Sequence, residues 1–110
     1  MKKFMIFYNG PATPADQMAP DKVQAIMAKW KEWMEKTGNA MVDMGTPLAG
    51  GVAVVDDGSA GNATDLSGYS IIQADGIEQA KALVEGHPFL SDKEGKFSIE
   101  IHEMLPVPGM

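Results

Sequence analysis

The stretch FSIEIHEML, Phe97 to Leu105, decides the fold. Phe97, Ile99 and Ile101 fall on one side and Ser98, Glu100 and His102 on the other, because successive strand side chains face opposite sides of a sheet. Such a strand calls for helices over its apolar side and for something other than a second oily layer over its polar side. An antiparallel sheet covered on one face is the expectation.

Working outward, the tail LPVPGM holds two prolines and cannot extend a central strand. On the other side lie a polar loop, Ser91 to Lys96, and the run His87-Pro88-Phe89-Leu90 that leaves a helix stopped by Gly86. Ile77, Ala80, Leu83 and Val84 are the predicted inner face of that helix, and Asp75-Gly76-Ile77-Glu78 reads as its capping box. Gly68 to Ala74 precedes it as a strand.

The N-terminal half mirrors this plan. Lys2 to Tyr8, apolar on both faces, predicts a central strand, and the breaker-rich segment Asn9 to Ala19 predicts a loop arching over one end of the sheet. Pro20-Asp21 opens a helix whose stripe is Val23, Ile26, Met27, Trp30 and Met34, with Trp33 on its border and Gly38 as its cap. Asn39 to Gly45 follows as a weakly alternating strand with Asp43 on its less buried face. Thr46 to Gly51 breaks the chain, and Val52 to Val55 predicts a short edge strand ending in the Asp56-Asp57-Gly58 turn, an optional hairpin arm. Strand, helix, strand, strand, helix, strand with antiparallel neighbours is an α+β fold of the ferredoxin-like kind, its helices on one face.

At 110 residues, 45% of them hydrophobic, the chain suits one core, so residues 1–110 are expected to form a single domain. The absence of cysteine excludes a disulfide framework, a thiolate zinc site and a thiol nucleophile, and fits a reducing cytoplasm. MKKFMIFYNG is too weakly apolar for a signal-peptide core or membrane span. Nine basic against fifteen acidic side chains leave a formal charge of −6, which repels nucleic acid. No metal is expected, because neither HxxxH nor HxH occurs. Gly50-Gly51 lacks the lysine and helix of a phosphate loop, so no cofactor is expected either.

Two clusters are candidate sites. Ser98, Glu100, His102 and Asp43 should share the uncovered sheet face, as a hydrogen-bonded homodimer contact or a lumen between paired sheets. The sharper reading of Glu100 and His102 is an acid/base pair. Following the chain path brings Tyr8, Asn9, Met27, Trp30 and His87 to one end of the sheet, as a pocket for a small molecule under the Asn9 to Ala19 loop. His87 has two readings, a proton-transfer group or a cationic ring satisfying the last helix carbonyls.

The KKFMIFY strand, the helix running into TGN, the Asp57-Gly58 pair before LSGYSIIQAD, the HPF after the second helix and the closing IEIHEM resemble the YCII-related family, including its DGPF-domain branch, over nearly the whole chain. Here Asp57-Gly58 continues as Ser59-Ala60 where that branch has Pro-Phe. The resemblance implies a dimeric α+β barrel of ferredoxin-like protomers, with some members enzymes, a dehydrochlorinase of chlorinated hydroxyquinols among them. It also implies a dyad of a first-helix histidine and an aspartate before a proline after the second helix. Those positions are Met27 and His87 here, so a thioether replaces the histidine and an imidazole the aspartate. Two functions follow: a cofactor-independent lyase or hydrolase-like enzyme using His87, or a non-catalytic dimeric ligand-binding or regulatory module.

Overall fold

The computed structural model describes residues 1–10, 19–90 and 95–109. The arch expected over residues 9–19 and the loop over 91–96 fall, at 11–18 and 91–94, outside the described residues. The elements are β1 (Lys2–Asn9), α1 (Pro20–Thr37), β2 (Met41–Asp43), β3 (Val52–Val54), β4 (Ala60–Asn62), β5 (Leu66–Ala74), α2 (Ile77–Val84) and β6 (Ser98–Met104). Four of the strands form an antiparallel sheet in the order β2-β5-β1-β6, the ferredoxin-like α+β arrangement, with β1 central as its doubly apolar sequence demands.

Alternation along β1 sorts the core. Phe4, Ile6 and Tyr8 point under the helices and are buried with Ile72 and Ala74 of β5, against Trp33 of α1 and Ala80 and Val84 of α2. Each fully buried large apolar side chain contributes about 2–3 kcal/mol of transfer free energy. Ile99 and Ile101 of β6 pack against the same cluster, as the alternation of that strand requires.

Both helices are rotated slightly from the expected faces. On α1 the buried residues are Trp33 and Thr37, while Met27, read as part of the stripe, is exposed. The cause is the Trp33 indole, whose Nε1–H donates to the Leu83 carbonyl of α2 at 2.9 Å and draws that edge of α1 inward. On α2, Ile77 is exposed because it sits at the first turn, before the helix has reached the sheet. The Asp75 capping box does not form. Gly76 occupies the N-cap in extended backbone, and Gln79 Oε1 accepts from the Asp75 N–H at 2.6 Å, while Glu78 faces Lys81 at 3.8 Å.

Two further differences come from backbone pairing. Strict alternation would put Met41 and Asp43 on one face, but a register irregularity pairs Met41 with Ile72 and Asp43 with Ile71. Met41 therefore joins the core and Asp43 stays exposed, its Oδ1 accepting from Gly45 N–H at 2.8 Å. Val52–Val54 pairs with Ala60–Asn62 in a separate two-stranded arm, the optional hairpin expected there, and is not an edge of the main sheet. Gly61 lets the facing strand approach closely, so a segment of small residues with no strand signature serves as a strand.

Candidate functional site

A cavity of about 410 Å³ opens beside the helix-covered side of the sheet, between α1, the loop after β2 and the start of β5. Trp30 and Met34 of α1 line it with Tyr8 of β1, Met44 and Thr46 of the loop, and Phe89. Met27, Pro47 and Ser67 also contribute. Gly45, at φ 74°, could carry no side chain here, because a Cβ would overlap the Tyr69 carbonyl oxygen. The loop is thereby held against β5, which brings Met44 and Thr46 to the cavity.

Behind this wall lies His87, 1% exposed, enclosed by aromatic rings. Its centroid is 4.2 Å from that of Trp33, 4.5 Å from Trp30 and 5.1 Å from Tyr8. Burial pushes the imidazole down to about 4, so it is neutral at pH 7. The Phe89 N–H donates to Nδ1 at 3.0 Å, which leaves the proton on Nε2, 3.2 Å from the Tyr8 hydroxyl. At the other end Ser70 Oγ donates to the Met44 carbonyl at 2.8 Å, so the 2.7 Å bond between Tyr8 and Ser70 has Tyr8 as donor.

The chain of hydrogen bonds therefore has one direction: Phe89 N–H to His87, His87 to Tyr8, Tyr8 to Ser70, Ser70 to Met44. Its ends are a backbone donor and a backbone acceptor, neither of which can reverse. Burial also raises Tyr8 to about 12, against a smaller lowering by its Ser70 bond. A cationic helix cap is not what the ring provides, since Nδ1 is an acceptor and the site is dry.

The sequence-selected residues thus divide. Tyr8, Trp30 and Met27 line the cavity, and His87 stands one layer behind Tyr8 and Trp30. Asn9 does not join them: alternation turns it to the other face, where its Nδ2 donates to Glu100 Oε2 at 2.8 Å. Glu100 Oε1 in turn accepts from His102 Nε2 at 2.9 Å, and this bond first, with that from Asn9, holds the Glu100 carboxyl below its usual range.

Asp43, Ser98, Glu100 and His102 all lie on the uncovered face, opposite Ile71, Asn9, Phe7 and Met5. Between the two polar edges run Met5, Phe7, Tyr69 and Ile71, so the centre of that face is apolar. Among the described residues no three His, Asp or Glu side chains gather as metal ligands, and no helix is long and apolar enough to cross a membrane.

Ser70, Met44 and Phe89 join the site without being among the residues the sequence selects. A serine between Gly68 and Ile72 on the inward face of a strand must find a buried partner, and that is the signal that marks Ser70 in the sequence. Met44 and Phe89 follow segments whose path only the tertiary fold sets.

A family model described as YCII-related domain matches residues 1–104. No curated protein matches the chain. Among solved structures it is similar to the 5-chloro-2-hydroxyhydroquinone dehydrochlorinase of Burkholderia phenoliruptrix, in complex with 2,5-dihydroxybenzoquinone, at 19% identity and a TM-score of 0.52, over 94% of this chain and 93% of that one.

Proposed function

The chain belongs to the YCII-related family, and from that premise we propose that its cavity binds a compact, uncharged ring compound. One observation carries this reading: three thioethers and four aromatic residues, Tyr8, Trp30, Tyr69 and Phe89, line a space of about 410 Å³ whose lining, among the described residues, has hydroxyls but no charged side chain. An anion bound there would lose its hydration without gaining a counter-charge. The similar dehydrochlorinase structure holds a single hydroxylated six-membered ring, a size that suits this space. Titration of the protein with 4-chlorophenol should give saturable binding of one molecule per chain, at least tenfold tighter than 4-chlorobenzoate. Met27→Arg should abolish it without lowering the melting temperature, since Met27 is already exposed. Equal affinity for the two probes would refute the reading.

Catalysis with His87 is the second reading, and the bond from His87 to a cavity-lining tyrosine favours it. It ranks second because Nε2 already holds the ring's proton, and a proton accepted at Nδ1 would displace the Phe89 N–H. Turnover of a bound phenol that falls a hundredfold in Tyr8→Phe, with affinity kept, would move this reading to first place.

We also propose that two copies join through the uncovered sheet face. An apolar centre of Met5, Phe7, Tyr69 and Ile71 with Glu100, His102, Ser98 and Asp43 around it has the anatomy of a protein interface. Light scattering at micromolar concentration should return a dimer mass, and Phe7→Glu a monomer mass.

A further inference from the structure

The chain holds nine methionines and no cysteine, so its readily oxidised sulfur is all thioether. Among the described residues, two of these thioethers combine access with a place in the cavity wall. Met27 of α1 is 63% exposed and Met44, after β2, is 62% exposed, and both line the cavity. Met34 lines it from a half-buried position, while Met1 and Met104 are exposed but not part of its lining.

We propose that Met27 and Met44 form an oxidation-sensitive rim that regulates binding in this cavity, with hydrogen peroxide or another two-electron peroxide oxidant as the modifying reagent. The inference rests on the reading of the cavity as a site for neutral rings. In the step, a thioether sulfur attacks one peroxide oxygen and an S–O bond forms as the O–O bond breaks; the proton on the transferred oxygen passes to the departing hydroxide or alkoxide, so the sulfur is oxidised by two electrons to the sulfoxide and hydrogen peroxide is reduced to water, or an organic hydroperoxide to its alcohol. A flexible apolar wall becomes a polar one. The sulfoxide oxygen is a strong acceptor in a lining whose side-chain donors are few, so it draws water to the rim and withdraws apolar contact from the ligand.

The test compares each protein with its own untreated state. Full-length protein is treated with hydrogen peroxide, the sulfoxides are located by peptide mass mapping, and 4-chlorophenol is titrated before and after. Wild type should lose at least tenfold in affinity once Met27 and Met44 are oxidised, and the Met27→Leu/Met44→Leu variant should keep its own untreated affinity although Met1 and Met104 still oxidise. Undiminished affinity in doubly oxidised wild type, or an equal loss in the variant, overturns the proposal. A second readout needs no ligand: Trp30 shares the cavity wall with both thioethers, so its emission should shift to the red on oxidation in wild type and not in the variant. No shift overturns the proposal whether or not a phenol binds, whereas absent binding by untreated protein counts against the cavity reading alone.

Discussion

His87 under the helices and His102 on the uncovered face are the same side chain in two solvents. His87 is 1% exposed, ringed by Trp30, Trp33 and Tyr8, and neutral at pH 7 because burial opposes its charge. His102 has 58% of its side chain exposed, lies edge-on to Phe7 at 5.7 Å and shares a bond with Glu100. Desolvation turns the first into a fixed link between backbone groups. Water leaves the second as a local partner whose pairing energy is largely screened. Ring chemistry on this fold is set by which side of one sheet layer the ring occupies.

The largest effect is expected at the core. Phe4→Ala, at a position 1% exposed, should cost about 3–5 kcal/mol in urea denaturation, whereas Phe7→Ala on the other face should cost clearly less in the monomer. Equal losses would mean that the two faces are equally dry.

Acid is the next lever. The folded protein holds His87 at about 4 against an ordinary 6.5, so between those pH values the unfolded chain binds more protons and stability rises with pH. The contribution is complete above pH 6.5, is lost as pH falls toward 4, and is on the order of 3 kcal/mol. Denaturation midpoints across this range should show that slope in wild type and not in His87→Gln, with His102→Gln retaining it. A wild-type profile flat from pH 6.5 to 4 would show that His87 is solvated in the native state.

Removing one hydroxyl from the buried side has a smaller effect. Tyr8→Phe takes the centre out of the directed chain and leaves His87 Nε2–H and Ser70 Oγ without their partner, at about 1–3 kcal/mol. The smallest effect belongs to His102→Gln, which should change monomer stability by less than about 0.5 kcal/mol because both it and Glu100 are exposed. A larger loss would mean that the uncovered face is already covered in solution.

Much of the layout was legible because it depends on local periodicity. Strand β1 read as central, β6 as two-faced, and the order of elements as ferredoxin-like, all from the spacing of apolar residues in KKFMIFY, GYSIIQA and FSIEIHEM. The site was half legible. Tyr8 and Trp30 line the cavity, whereas Asn9, the next residue on the strand after Tyr8, points to the other face because strand neighbours point apart. Only the polar edges of the uncovered face are legible in the sequence, because Met5 and Phe7 alternate with core residues in a strand apolar on both sides.

By itself the sequence determined the α+β layering, the helix-covered face and the absence of thiol chemistry, since each follows from residue type at a repeat of two or about 3.6 positions. Only the tertiary structure decided that His87 is dry, that its proton sits on Nε2, and that thioethers from α1 and the loop after β2 meet at one cavity. Those outcomes depend on which distant groups arrive beside a side chain, and solvent exclusion and hydrogen-bond direction are properties of that assembly, written in no single segment.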